Sequence, residues 1–287
     1  MVITVAIGYG LKQLKHSVKT VQSETLLYQS SAILEDIINI LKKSPDIKML
    51  KDDNSTEALY LFLTTAPSIP FEIDGLQVNL SFTSARAQFN VNEIATNKFA
   101  REYLRAYLSQ NYMLSYAYVD VLLDNMSLFK AKNEYNNYNS VIFDENPNLF
   151  REYIASKSHL QKINDFYLQE YNDENIQKVP FERLFSYSKD ITRAIDLNYA
   201  TAEVWQLMLG VDAARAETLH AGSGSYQKIE DLGLSSEEKL RLSKFKTSFY
   251  EPYILVNIIL RKAEEEAHIS FEYDIRKEKG SDFVFEI

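Results

Sequence analysis

The sequence predicts an α+β protein in which one sheet is interrupted by a large helical insertion. Three observations support this prediction: an amphipathic helical pattern opens the chain, strand-like alternation follows it, and alternation returns at the C-terminus after a long helical middle. We expect the helix to cover residues 1–45, a mixed domain to take residues 46–95 and 247–287, and the helical insertion to take residues 96–246.

The first segment reads as an amphipathic helix with an uncharged tip. Residues 1–11 carry no charge, and apolar residues then recur at three- and four-residue spacing. Lys42 and Lys43 suit a helix end, and Pro45 stops the helix. Eleven uncharged residues are too few to cross a bilayer, which needs about 20. Two interpretations stay open: an ordinary amphipathic helix with an apolar tip, or the lower part of a membrane-anchored helix.

The regions on either side of the helical middle show the period-two alternation of strands. Ser55 is placed to cap a short helix that ends before Pro67. Asp74-Gly75 then lies between two alternating runs, which is the strongest hairpin signal in the sequence. Near the C-terminus, residues 253–260 are almost all apolar, and two further alternating runs follow. We expect the strands from both ends to form one sheet.

The middle of the chain is predicted to be helical almost throughout. Aromatic residues such as Phe99, Tyr103 and Tyr107 recur on one side of a helical pattern, which favours core packing. Residues 130–148 are rich in Asn and Tyr and are predicted to form a loop, and Val179-Pro180 breaks a later helix.

A pair of short helices is predicted within residues 195–232. Thr201 is placed to cap the first helix, residues 210–212 form a tight turn, and the alanine-rich second helix follows. Ser235 and Glu238 then form a capping box for the next helix. This arrangement resembles a helix-hairpin-helix unit.

Nucleic-acid binding is the alternative function that this unit raises. In DNA-binding units of this class, a second glycine in the hairpin lets the backbone approach phosphate, whereas this chain has Asp212 there. A carboxylate about 4 Å from a phosphate costs on the order of 1 to 4 kcal/mol. Residues 195–240 carry eight acidic and three basic side chains, a local charge of −5. We therefore favour a structural or protein-interaction role, and we expect no nucleic-acid partner.

Composition and motifs also argue against an enzyme. The 287 residues carry 40 acidic and 31 basic side chains, a net charge of −9, with no cysteine and only 8 glycines. Disulfides, thiolate metal sites and cysteine nucleophiles are therefore excluded. The four histidines are scattered without metal-ligand spacing, and Gly222-Ser223-Gly224-Ser225 matches neither a nucleophile elbow nor a dinucleotide loop. Asp120 and Asp124 share a helix face, for which a solvated or capping role is favoured. We predict no catalytic residue, no metal site and no cofactor.

The order of three short motifs resembles the K-type minor pseudopilins of type II secretion systems, the general secretion pathway protein K family. The motifs are F-N-V-N at 89–92, L-L-D at 122–124 and I-D-L-N-x-A at 195–200, between the apolar N-terminal helix and the final strands. The resemblance implies a pilin-like fold, in which a long helix packs on a small antiparallel sheet and an all-helical domain with the helix-hairpin-helix-like unit is inserted between strands.

The resemblance also implies a function and a location. It implies a subunit at the tip of the pseudopilus, which initiates the fibre for protein export with the I and J types of minor pseudopilin. A related type IV pilus or DNA-uptake machine is the alternative assembly. It further implies a single N-terminal anchor in the bacterial inner membrane, with the body in the periplasm. A periplasmic helical protein of unknown partner is the remaining possibility.

The residues expected to contact the membrane and the pseudopilus shaft lie in the first helix. They are Ile3, Val5, Ile7, Leu11 and Leu14. No prepilin leader precedes Met1, so we expect Met1 to lie within the membrane segment. The acidic run that helps relatives bind calcium after L-L-D is replaced by residues 125–130, and calcium is therefore not predicted.

Overall fold

The structure is a computed structural model, which describes residues 26–65, 68–73, 76–126, 150–262 and 265–286. It divides into two compact units. One contains the described residues up to Ala85 and those from Tyr250 onward, and we call it the sheet unit. The other, Arg86–Phe249, we call the helical unit.

Along the chain, the described elements belong first to the sheet unit, then to the helical unit, and from β7 onward to the sheet unit again. The helices are α1 (Leu26–Lys43), α2 (Pro45–Asp53), α3 (Thr56–Thr65), α4 (Lys98–Tyr112), α5 (Ala117–Asp124), α6 (Lys157–Tyr171), α7 (Phe181–Leu184), α8 (Ala202–Leu209), α9 (Ala213–Ala221) and α10 (Ser236–Leu242). The strands are β1 (Ser68–Ile73), β2 (Leu76–Ser84), β3 (Phe89–Asn90), β4 (Phe185–Ser186), β5 (Ile195–Asp196), β6 (Thr247–Ser248), β7 (Tyr253–Lys262), β8 (Glu265–Asp274) and β9 (Lys279–Glu286).

Helix α1 is the described part of the predicted N-terminal helix. Its buried residues Ile33, Ile37 and Leu41 recur every four positions, and the helix contacts β8 and β9. Helix α1 ends at Lys43, and Pro45 is the first residue of α2. Proline has no backbone N–H, but no hydrogen bond is lost, because the N–H groups at the start of a helix have no partner within it. Among the described helices, α1 included, none has the length and apolar character needed to cross a membrane. The rest of the predicted helix, residues 1–25, lies outside the described residues.

Helix α3 follows the capping signal in the sequence. The Ser55 Oγ accepts a hydrogen bond from the Ala58 N–H at 3.2 Å, as an N-cap does. Phe62 of α3 packs against Phe82 of β2, with the ring centroids 5.6 Å apart. This contact fixes the helix on the buried face of the sheet.

Strands from both ends of the chain form one antiparallel sheet, in the order β1-β2-β7-β8-β9. The pairing of β2 with β7 joins residues that are far apart in sequence, and it aligns Leu80, Ile258 and Ile269 in a buried row across three strands. The prediction of one sheet interrupted by an insertion is confirmed. The Asp74-Gly75 turn itself lies outside the described residues, but β1 and β2 pair on either side of it.

The helical unit has its own apolar core, in which Tyr118, Tyr167 and Trp205 are the largest fully buried side chains. It is not wholly helical as predicted, because two pairs of two-residue strands, β3 with β4 and β5 with β6, run parallel within it. Strands this short show no alternation that a sequence pattern reveals. These pairings tie residues next to the ends of the unit to its interior, and the unit begins and ends outside the predicted limits of 96 and 246. The predicted loop at 130–148 lies outside the described residues.

Candidate interaction site

The sequence offers two kinds of interaction signal, which are the apolar N-terminal residues and the three motifs. The predicted contact residues lie outside the described part of the chain. They are Ile3, Val5, Ile7, Leu11 and Leu14. All three motifs lie within the described residues of the helical unit, where their polar side chains are buried.

The buried asparagines of the first motif, F-N-V-N, join remote segments through side-chain hydrogen bonds, and we call an asparagine of this kind a polar clamp. The Asn90 Nδ2 donates to the Ser188 carbonyl oxygen at 3.1 Å, and the Asn92 Nδ2 donates to the Ile154 carbonyl oxygen at 3.0 Å. The Ile154 N–H donates in return to the Asn92 Oδ1 at 2.7 Å. Because an amide side chain both donates and accepts, these two residues hold segments that lie 62 and 98 positions further along the chain.

The second motif, L-L-D, lies on a helix without a solvent face. All eight residues of α5 are buried, so the expectation that Asp120 and Asp124 are solvated or capping is wrong. The Asp120 carboxylate pairs with the Arg105 guanidinium at 2.5 Å, and burial nonetheless raises the pKa of Asp120. The Arg151 Nε donates to the Asp124 carbonyl oxygen at 3.3 Å. These contacts are internal. The Arg105 guanidinium gives a charged partner to Asp120, which lies two positions before the motif on the same buried helix.

The third motif centres on Asn198, which is completely buried. Its Nδ2 donates to the carbonyl oxygens of Tyr226 at 2.8 Å and of Phe249 at 2.7 Å, and its Oδ1 accepts from the Tyr226 N–H at 2.9 Å. Its own N–H donates to the Asp196 Oδ1 at 3.0 Å. One side chain therefore joins the segment before α8 to the segment after α9 and to the end of the helical unit.

The turn between α8 and α9 shows why the sequence has glycine and aspartate there. Gly210 has a φ of +66°, and a Cβ at this position would lie 2.6 Å from the guanidinium carbon of Arg241. The Asp212 Oδ1 accepts from the Arg215 N–H at 2.8 Å and so caps α9. The Asp212 carboxylate therefore already accepts a hydrogen bond from a backbone N–H at the start of α9. In a phosphate-binding helix, a phosphate oxygen would accept from such an N–H.

The histidines that the structure describes, His159, His220 and His268, lie in separate environments. Within the described ranges, no three histidine, aspartate or glutamate residues lie where they could hold a metal ion together. His159 is buried, its Nδ1 accepts from the Ala155 N–H at 3.2 Å, and burial lowers its pKa. The His220 Nδ1 lies 3.0 Å from the Ala200 carbonyl oxygen, and His268 pairs with Glu266 at 2.5 Å. Each described histidine therefore has a different environment.

The comparison with known proteins rests on structure. No protein-family model matches this chain, and no curated protein matches it. It is similar to a chain in the crystal structure of the GspK-GspI-GspJ complex from the type 2 secretion system of enterotoxigenic Escherichia coli, with a TM-score of 0.60. The resemblance to the K-type minor pseudopilins is confirmed for the fold.

The share of each chain that is matched is more informative here than the sequence identity. The matched region covers 91% of this chain and 95% of the other, so both units take part in the match. The sequences are 12% identical over it, which establishes a shared fold and leaves the function to be argued. The sequence patterns predicted a mixed fold of helices and an antiparallel sheet, and the structure has such a fold. The patterns missed the clamps, because the partners of Asn92 and Asn198 are remote in sequence.

Proposed function

We propose that this chain is a K-type minor pseudopilin, a structural and non-enzymatic subunit of a type II secretion pseudopilus. The observation that carries the proposal is the fold likeness across both units to a chain of the GspK-GspI-GspJ complex. The motif order at 89–92, 122–124 and 195–200 supports it independently, because the motifs were recognised from the sequence alone. The sheet unit then corresponds to the pilin-like part, and the helical unit contains the helix-hairpin-helix-like pair.

The partners in this proposal are the I and J types of minor pseudopilin and the pseudopilus shaft. The test is to co-express this chain, carrying a purification tag, with the I-type and J-type subunits of the same organism. We expect the three proteins to elute together in a fixed ratio during size-exclusion chromatography. A folded, tagged chain that elutes alone, although both other subunits are present and soluble, would contradict the proposal.

The proposed position is the tip of the fibre. The helical unit, Arg86–Phe249, is inserted in the sequence between β2 and β7 of the sheet unit. It is longer than the part of the sheet unit that follows it, which begins at Tyr250. Parallel helices pack side by side in a bundle, and a subunit with a large additional head fits best where no other subunit is stacked above it. Such a subunit can start a fibre but is poorly suited to its interior.

The proposed anchor is the N-terminal helix, with the body in the periplasm. Its contact residues would be Ile3, Val5, Ile7, Leu11 and Leu14. The substitution Ile7→Asp in the full-length protein places a charge in the apolar stripe, so we expect loss of membrane retention or of fibre initiation. Thr20→Asp, which adds the same charge at a polar position, serves as the control. Normal secretion by the Ile7→Asp protein would remove the basis for these contacts.

Nucleic-acid binding is not proposed, because Asp212 caps α9 at the site where a helix-hairpin-helix unit would need to receive phosphate. A duplex-binding assay at low salt tests this directly. We expect no binding, whereas binding with a steep salt dependence would favour the nucleic-acid alternative.

A further inference from the structure

The sequence contains three copies of N-x-S/T, the tripeptide at which the asparagine of exported proteins is N-glycosylated. They are Asn54-Ser55-Thr56, Asn79-Leu80-Ser81 and Asn125-Met126-Ser127. So short a motif is common by chance, and the structure has to show which asparagine a transferase can reach. The acceptor has to be exposed, and it has to lie on backbone that neither a core nor a sheet holds in place.

Two of the three asparagines do not meet these conditions. Asn125 is completely buried, and its Nδ2 donates to the Val121 carbonyl oxygen at 2.9 Å. Asn79 is exposed, but it lies on β2, which is paired with β1 on one side and with β7 on the other. Its Oδ1 also accepts from the Ser68 hydroxyl at 2.6 Å. A residue of an interior strand cannot enter an enzyme's active site unless the hydrogen bonds on both sides of the strand break.

Asn54 lies in the short turn between α2 and α3, and it is exposed. It ends α2 in the left-handed conformation, with a φ of +49°, and its N–H donates to the Leu50 carbonyl oxygen at 3.0 Å. Only Ser55 separates it from the first residue of α3. Asp52 and Asp53, just before it, are exposed as well. This is therefore a surface turn that a second protein can approach, as modification requires.

A hydrogen bond from Arg276 orients the Asn54 side-chain amide. The Arg276 Nε donates to the Asn54 Oδ1 at 3.2 Å. Because a guanidinium only donates hydrogen bonds, the oxygen of the amide faces Arg276 and the nitrogen is at the opposite end. Both side chains are exposed. The Nδ2, which is the atom that N-glycosylation uses, is thus the end of the amide that this contact leaves unused.

We propose that Asn54 is N-glycosylated and that the fold selects it among the three tripeptides. The co-reactant is an oligosaccharide that is linked through pyrophosphate to a lipid. The bond between C1 of the first sugar and the pyrophosphate oxygen breaks, and a bond from C1 to the Asn54 Nδ2 forms. The Nδ2 gives one proton to a base of the transferase, and the lipid pyrophosphate leaves with the electron pair. The inference rests on the proposed periplasmic location of the body, where the transferase would meet it.

The test uses the full chain with a purification tag, expressed from its own gene in its own organism. Peptide mapping by mass spectrometry then locates any added carbohydrate. We expect the peptide that contains Asn54 to carry an added oligosaccharide mass, and the peptides that contain Asn79 and Asn125 to carry none. Asn54→Gln should lose the added mass completely. Asn79→Gln, the same change at the exposed asparagine of β2, is the control and should keep it.

Further variants leave Asn54 itself in place. Thr56→Ser keeps the hydroxyl group that the tripeptide needs and should keep the modification, whereas Thr56→Val has nearly the same shape without a hydroxyl and should abolish it. Gln77→Asp gives Asn79 an acid at the spacing that Asp52 has from Asn54. Asn79 should stay unmodified in this variant, because it remains in an interior strand.

The location of the body is measured separately, so that the two proposals fail in different ways. The chain has no cysteine, and Glu237→Cys at an exposed position reports the compartment through a maleimide that does not cross the inner membrane. A labelled chain with unmodified Asn54 would overturn this inference alone, and the proposed function would stand. Modified Asn79 in Gln77→Asp would also overturn it, since the fold would then select nothing. An unlabelled chain would contradict both the periplasmic location and the glycosylation.

Discussion

The sheet unit and the helical unit are stabilised by different kinds of contact. In the sheet unit, alternating apolar residues form rows across paired strands, such as Phe82, Val256 and Phe271, and the helices cover them. The helical unit also has an apolar core, but buried asparagines such as Asn92 and Asn198 connect its irregular segments. The comparison teaches that periodic patterns specify the sheet unit, whereas single polar residues specify how the segments of the helical unit are joined.

The largest expected effect comes from the apolar core of the sheet unit. Phe82→Ala removes a ring that is 1% exposed and packs against Phe62, so we expect the free energy of unfolding to fall by about 4 kcal/mol. Urea unfolding followed by far-ultraviolet circular dichroism measures it. Thr83→Ala, at the neighbouring exposed position of β2, is the control and should cost less than about 0.5 kcal/mol. Equal effects of the two substitutions would contradict the assigned faces of the sheet.

The next effect tests the polar clamps of the helical unit. Asn198→Ala leaves the Tyr226 N–H and the carbonyl oxygens of Tyr226 and Phe249 without their partner, which we expect to cost about 3 kcal/mol. Trp205, the single tryptophan of the chain, is buried in this unit, so its fluorescence reports the unfolding.

The control for this clamp is an exposed asparagine of the sheet unit. Asn79→Ala on β2 should change stability by less than about 0.5 kcal/mol, because the Asn79 side chain and its hydrogen bond from the Ser68 hydroxyl are both exposed to solvent. If Asn198→Ala lowers the free energy of unfolding no more than this control does, the buried hydrogen bonds of Asn198 do not stabilise the helical unit, and the distinction between the two units is wrong.

A smaller effect is expected at the cap of α9. Asp212→Ala removes the acceptor for the Arg215 N–H, which should lower the free energy of unfolding by about 1 kcal/mol. Asp212→Asn retains a capping oxygen without the charge, and we expect it to recover most of this loss. A loss in Asp212→Asn as large as that in Asp212→Ala would mean that the charge, and not the cap, stabilises this turn.

The smallest effect concerns pH and His159. Burial lowers the pKa of His159, so the folded protein binds its proton less readily than the unfolded chain does. This contribution to stability is present above the ordinary histidine pKa of about 6.5 and is lost as the pH falls from there towards the lower folded pKa. Unfolding curves between neutral and mildly acidic pH measure it, with His159→Gln as the comparison. The same pH dependence in that variant would assign the effect to other groups.

The difference between the units also explains what the sequence could predict. The alternation in β2 and β7, the cap at Ser55 and the helix stop at Pro45 are local signals, and each confirmed element follows from a short stretch of sequence. The capping box of Ser235 and Glu238 is of the same kind and is confirmed.

The contacts that could not be predicted are long-range. Asn198 meets Tyr226 and Phe249, which lie 28 and 51 positions away, and no periodicity points to such a pair. The burial of Asp120 depends on Arg105 from another helix, and it therefore appears only once α4 and α5 have packed. The predicted N-terminal contact residues stay predictions, since they lie outside the described residues.

The proposal with the widest consequence is that this chain lies at the tip of a secretion pseudopilus. It is tested most directly by immunogold electron microscopy of isolated fibres, with an epitope inserted beside the exposed residue Glu237 of the helical unit. We predict label at one end of each fibre and none along its length. Label spaced regularly along the shaft, or fibres that form normally without this chain, would contradict the account.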